Sequence, residues 1–264
     1  MTRRIKIGQI GIGHNHGEAK MRSACKLNDL FEVTGYAEED EKWIAQRGGS
    51  EVYRKLRRLS VAELLEQSDA VLVETDVPRL TEYAKLCADA GKHIHMDKPA
   101  SGSLNDFKEL IDAAREKKLV LQLGYMYRYN PAVQKAMQLA KSGSLGRILS
   151  VDAQMSTFHA KWYKEWLSRF DGGSMYIFGS HLVDIVVSLL GEPDTVASFF
   201  RCTDTDGISF PDNTLAVLGY GAALARIYVS SVEVNGWGRR QLTVAGDKAT
   251  VSILPIENVT AMTY

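Results

Sequence analysis

The chain has 264 residues, 45% of them hydrophobic and 24% charged, with 32 basic residues against 32 acidic ones. That length accommodates one large domain or two medium ones, and the balanced charge argues against nucleic acid or a membrane surface as partner. Three widely spaced cysteines, Cys25, Cys87 and Cys202, suit reduced thiols in a cytoplasm better than a disulfide framework. The apolar stretch of MTRRIKIGQIGIG is short and runs into HNHGE rather than a cleavage site. The longest apolar region, LVDIVVSLLG, is too short for a bilayer and carries Asp184.

In chain order, IKIGQIGI (5–12) reads as a strand, followed by a helix from Glu18 to about Leu27 and a strand at FEVTGYA (31–37). Ser60 with Glu63 three residues on predicts a capping box opening a helix over SVAELLEQ. DAVLVET (69–75) is nearly continuously apolar, as in a parallel strand buried on both faces. A helix from about Pro78 to Ala90 ends at Gly91, then come a short strand KHIHM, a helix over 104–118 and a strand LVLQLGY. This alternation predicts an α/β fold: right-handed βαβ units in an N-terminal Rossmann doubly wound parallel sheet, residues 1–124. After residue 125 one helix (131–142) and one around 175–190 accompany long strand-like segments joined by short Gly/Asp turns. That predicts a C-terminal α+β domain, residues 125–264, with a mostly antiparallel open sheet.

The loop Gly11-Ile-Gly13-His14-Asn15-His16-Gly17 follows the first strand and precedes a helix. In a dinucleotide fingerprint the first glycine permits the tight turn and the second lets the backbone approach the pyrophosphate, which rests on the helix N-terminus. Here His16 occupies the slot of the third glycine. Glu38, at the end of the second strand, is placed to bind ribose hydroxyls, and its charge favours NAD over NADP. His14 and Asn15 are therefore cofactor neighbours. A second reading is a metal site: four of the six histidines form His-x-His pairs, His14/His16 and His93/His95, with His159, His181 and Asp184 as further donors. The loop position of the first pair does not fix one face, and the second pair's strand must contact helices, so no metal is expected.

In AGKHIHMDKPAS (90–101), Lys98 follows a buried strand and so stands at the carboxyl edge of the sheet, where open α/β sheets bind ligands. Partly desolvated beside a positively charged nicotinamide, its pKa would fall toward neutrality; taken alone, it also reads as an exposed loop lysine.

With this stretch the sequence resembles the Gfo/Idh/MocA family of NAD(P)-dependent oxidoreductases over nearly its whole length. The matching segments are the glycine loop, LSVAELLEQSDAVLVET, AGKHIHMDKPAS, GYMYRYNP (124–131), SGSLGRI (142–148) and DGGSMYIFGSHLVDIVVSLLGEP (171–193). The resemblance implies hydride transfer between NAD(H), with NADP as the alternative, and a hydroxyl-bearing carbon of a sugar, polyol or related small molecule. It implies Lys98 and His181 as the catalytic pair and Gly11, Gly13, His14, Asn15, Glu38, Thr75, Asp97, Lys98 and Met126 as cofactor-binding residues. It further implies a homo-oligomer, dimer or tetramer, often formed through the open sheet. Asp184 reads as structural.

Several positions depart from the family pattern. Asp97 replaces the usual Glu, DVPRL (76–80) lacks the Pro-Asn…His found after the third strand, and Ile177 stands where the inositol dehydrogenase type has a carboxylate four residues before the histidine. Most members continue for further strands beyond the match to AGDKATVSI, which implies either a short member or a chain truncated at its C-terminus. FHAKWYKEW (158–166) gathers aromatics, a histidine and two lysines, and suits a carbohydrate ring or an interface equally. Tyr127, His159, Trp162 and Trp237 are the substrate-binding candidates. The competing readings are a non-catalytic NAD- or metabolite-binding protein and a metal-dependent hydrolase.

Overall fold

The computed structural model describes residues 3–100, 102–260 and 262–264. Ser101, which closes the lysine–proline stretch, lies outside them. The chain forms two compact units, Met1–Gly124 and Tyr125–Tyr264. Among the described residues no helix is long and apolar enough to cross a membrane.

The first unit contains β1 (Ile5–Ile10), α1 (Gly17–Lys26), β2 (Phe31–Ala37), α2 (Glu41–Trp43), α3 (Val61–Gln67), β3 (Ala70–Val73), α4 (Leu80–Asp89), β4 (His93–Met96), α5 (Leu104–Glu116) and β5 (Leu121–Leu123). Its sheet has the order β2-β1-β3-β4-β5, and every pair is parallel. The order reverses between β1 and β3, so their carboxyl ends form the crevice in which such sheets bind ligands. Val71, Val73, Ile94 and Met96 are buried because helices cover both faces, which explains the unbroken apolar run of β3. Local signals agree with the tertiary placement. Ser60 and Glu63 close the expected capping box on α3. At the end of α4, Gly91 (φ +71°) donates to Ala88 O and Lys92 to Cys87 O, the paired bonds of a Schellman motif.

One segment of this unit was not anticipated. Residues 41–48 form α2 and a π-helical turn, Ile44–Gly48. Their apolar spacing is weak, and what holds them is tertiary: Trp43 and Ile44 pack against Tyr36 and Tyr53.

The second unit contains α6 (Pro131–Lys141), β6 (Ile148–Ser156), α7 (Lys161–Leu167), α8 (Ser180–Leu190), β7 (Thr195–Arg201), β8 (Asn213–Tyr220), β9 (Ala223–Ser230), β10 (Gln241–Gly246), β11 (Thr250–Ile253) and β12 (Met262–Thr263). Its sheet has the order β12-β11-β10-β6-β9-β8-β7, antiparallel except for β6 against β9. Val151, Ala153 and Met155 alternate onto one face and meet Val133 and Ala136 of α6 and Leu182, Ile185 and Val186 of α8. FHAKWYKEW yields a helix, α7, that the sequence reading left unassigned. Lys164 and Leu167, three apart, share its buried face.

Candidate active site

The loop between β1 and α1 is folded onto its neighbours by its own backbone. Gly11 (φ +82°) donates to Ala37 O at 2.7 Å, and a Cβ there would fall 2.5 Å from the Thr75 backbone. Only glycine fits so close an approach in that conformation. The Ile12 amide donates to Glu38 Oε2 at 2.8 Å and the Asp40 amide to Glu38 Oε1 at 2.9 Å, so Glu38 clamps the loop to the end of β2. Arg47 donates to Ile12 O, His14 O and Asn15 Oδ1 from the far side, a contact the sequence reading missed. Gly11, Glu38, Asp40, Trp43, Thr75 and Arg79 line a cleft beside this loop. Among the described residues the amides of Gly13 and Asn15 have no acceptor, and they stand at the N-terminus of the ten-residue α1. Free amides at a helix N-terminus suit a pyrophosphate.

Beneath the loop lies a cluster of buried charge. Asp97, fully buried at the end of β4, accepts the Lys98 amide on Oδ1 at 2.6 Å. Its Oδ2 faces His16 Nδ1 at 3.0 Å, His14 Nδ1 at 3.2 Å and the Lys20 ammonium. Lys20 also donates to Glu74 Oε1 at 2.8 Å, and Glu74 is as buried as Asp97. The two carboxyls divide the labour. Burial pushes Glu74 well above the usual carboxylate range; Lys20 opposes this only in part, and the charge of Asp97 adds to it. Burial would also raise Asp97, but the donors His14 and His16 and the charges of His14 and Lys20 outweigh it and hold Asp97 below its ordinary value. Among the described residues Glu74 Oε2 has no hydrogen-bond partner. Burial, and after it the neighbouring charges of His16 and Lys98, lower His14 despite Asp97.

Two site expectations change here. His14, expected beside the cofactor, turns inward: its amide donates to Glu74 O at 2.9 Å and its ring faces Asp97. Asp97, expected along the nicotinamide ribose, spends its oxygens on this cluster and on the Lys98 backbone. The ligand atoms of His14, His16 and Asp97 do lie within 4.8 Å of one another, as a metal would require. The Lys20 ammonium, however, already touches both carboxylates and supplies the positive charge there. His159, His181 and Asp184, the other donors of that reading, belong to the second unit. His93 and His95 are bound locally. The Val120 amide donates to His93 Nδ1, His95 Nδ1 meets Gln122 Oε1, and burial, aided by the charge of Lys20, pushes His95 down to about 4. Neither Lys20 nor Glu74 was singled out from sequence. The only signal was Glu74 ending an apolar strand and Lys20 one turn beyond His16.

In the second unit, His181 is buried on α8 with the rings of Tyr125 and Tyr127 edge-on to it, at 5.7 and 5.0 Å between centroids. The Tyr127 hydroxyl donates to Glu257 at 2.8 Å, and burial followed by the Glu257 charge raises its pKa. Tyr127, expected to touch substrate, is thus committed beneath His181, buried and bonded. Asp184 accepts two hydrogen bonds from Arg128, at 2.7 and 2.6 Å, which gives it a structural part. Met126 is exposed. The segment before α8 is a π-helix, Met175–Gly179, whose bonds span five residues rather than four. An α-helical count puts Ile177 one turn before His181; a π turn gives that place to Tyr176. Ile177 is buried in the core. His159 stacks between Tyr163 and Phe178, at 4.5 and 5.2 Å, and burial, with Arg240 and Lys164 nearby, pushes it down to about 4. Trp162 and Trp237 are exposed, and the Arg240 guanidinium lies 3.9 Å from the Trp237 ring.

Comparison with known proteins gives two family matches. Residues 5–125 match the model of an oxidoreductase family with an NAD-binding Rossmann fold, and residues 133–252 match the Gfo/Idh/MocA C-terminal domain. The dehydrogenase aclE of Aspergillus oryzae is 28% identical over 74% of this chain and 57% of its own length. The scyllo-inositol 2-dehydrogenase (NADP(+)) IolW of Bacillus subtilis is 25% identical over 88% of this chain and 64% of its own. The chain therefore spans little more than half the length of such relatives. Among solved structures, the WlbA dehydrogenase from Bordetella pertussis, in complex with NADH and UDP-GlcNAcA, shares 22% identity and superposes with a TM-score of 0.87. The match covers all of this chain and 77% of that one, and shows a common fold.

Proposed function

Because the chain belongs to the Gfo/Idh/MocA family of oxidoreductases, we propose that it transfers a hydride between NAD(H) and a hydroxyl-bearing carbon of a sugar, polyol or related small molecule. The observation that carries this reading is the clamped β1–α1 loop, with Glu38 behind it and Lys98 two residues past the end of β4. When bound, the dinucleotide supplies the hydride acceptor at nicotinamide C4. The Gly13 and Asn15 amides would receive the pyrophosphate, and Glu38, keeping lone pairs beyond its two backbone bonds, the ribose hydroxyls. A carboxylate there repels a 2′-phosphate, and Arg79 in the same cleft is committed to Glu82 and Tyr83, so NAD is preferred. Lys98 and His181 handle the proton: one orients and hydrogen-bonds the reacting oxygen, the other accepts its proton as the hydride leaves. The dehydrogenases among the relatives support a hydroxylated substrate, and the exposed rings of Trp162 and Trp237 offer it apolar faces. The exposed Val196, Phe199 and Leu224 of the second sheet support a homo-oligomer, dimer or tetramer, and the free thiols of Cys25, Cys87 and Cys202 suit a reducing cytoplasm.

The test is a panel of sugars and polyols assayed for NAD reduction with the intact protein and Lys98→Ala. Removing a group that handles the proton lowers kcat about 10²–10⁴-fold. Turnover that survives in Lys98→Ala would overturn the assignment, and NAD binding without turnover on any substrate would favour the non-catalytic reading.

A further inference from the structure

Two departures from the family pattern meet in space. His16 replaces the third glycine of the fingerprint, Asp97 replaces the glutamate before Lys-Pro, and their side chains lie 3.0 Å apart. We propose that Asp97 is a positioning residue for Lys98 and that His16 and Lys20 form, with it, a matched set that replaces the family's glycine and glutamate. The proposal rests on Lys98 being the lysine that handles the proton.

The chemistry of the shorter side chain is the reason. An aspartate readily bonds a backbone amide next to it in sequence, and Asp97 Oδ1 takes the Lys98 amide at 2.6 Å. A glutamate, one methylene longer, carries its carboxylate past that amide. The shorter carboxylate is left wholly inside the protein, where an ion needs donors for its remaining lone pairs. His16 at the start of α1 and Lys20 one turn on supply them on Oδ2. Space is matched as well: a Cβ on Gly124 would fall 3.0 Å from Asp97 Oδ1 and 3.1 Å from Lys20 Nζ. The charged and titratable groups around Asp97 are His14 and His16 from the loop, Lys20 from α1, Glu74 from β3 and His95 from β4. The Lys98 charge acts on His14 in return, so the lysine and the cluster share one field.

Competitive labelling with trace acetic anhydride across pH, read by mass spectrometry, gives the titration midpoint of Lys98 without any substrate. His16→Gly and Asp97→Glu, each restoring one family residue, are expected to move that midpoint by about half a pH unit or more. The double variant is expected to return toward the parent value. Lys20→Arg keeps the midpoint and Lys20→Met moves it. His16→Gln retains a donor and serves if His16→Gly melts below the assay temperature. Midpoints unchanged in both single variants, or shifts that simply add in the double variant, would overturn the proposal. Lys98→Ala that retains turnover would instead sink the role of Lys98, whatever the labelling shows.

Discussion

In the first unit the chemistry is charged and sealed: Asp97 and Glu74 are fully buried with Lys20 between them and two imidazoles on one oxygen. In the second unit it is aromatic: His181 lies among tyrosine edges, and His159 is stacked between Tyr163 and Phe178. Buried charges stabilise one another only as a complete set, because each unpaired ion left inside costs several kcal/mol. Stacked rings depend on area and contact and tolerate the loss of a polar atom. The first arrangement depends on a complete set of charges; the second holds imidazole rings against aromatic ones.

The contrast is open to direct attack. Asp97→Ala should have the largest effect, since it strands the cationic side of the cluster. Chemical denaturation of the first unit is expected to lose about 3–5 kcal/mol, and a loss under 1 kcal/mol would mean that the set is not cooperative. Next is the acid limb. His159 has a depressed pKa, so its neutral form is favoured in the fold. Its contribution is complete above pH 6.5 and lost as pH falls toward 4. His159→Phe should therefore flatten the stability loss of the second unit between pH 6.5 and 4 by about 2 kcal/mol. His95 keeps its own acid-sensitive step in the first unit, which melts of His159→Phe across that range should leave in place. The smallest effect is expected for Tyr127→Phe, which removes one hydroxyl bond to Glu257 and keeps the ring against His181, at about 1 kcal/mol.

The elements of the first unit were legible because local signals and tertiary demand coincide there. The Ser60/Glu63 box, the Gly91 terminus and the apolar run of β3 each recur in the structure. The two sheets follow the strand–helix alternation in one half and the strand-rich pattern in the other. The interior of the candidate site was less legible. Lys20 and Glu74 are 54 residues apart, and nothing in either local sequence announces a pairing that strand order creates. His14 was placed outward because loop spacing does not say which way a side chain turns. Ile177 was weighed as a missing carboxylate on an α-helical count, and the π turn before His181 alters that count. The helix at Lys161–Leu167 was hidden by its aromatics, of which Tyr163 is placed by stacking on His159 and Phe178 rather than by helix propensity.

The central claim is that the β1–α1 loop and Glu38 hold NAD. Trp43 lines that cleft, so titrating the protein with NADH and with NADPH, and following energy transfer from tryptophan to the reduced nicotinamide, tests the claim most directly. The expected result is saturable NADH binding, about tenfold or more tighter than NADPH, with the preference lost in Glu38→Ala. No saturable transfer with either dinucleotide, or tighter binding of NADPH, would contradict it.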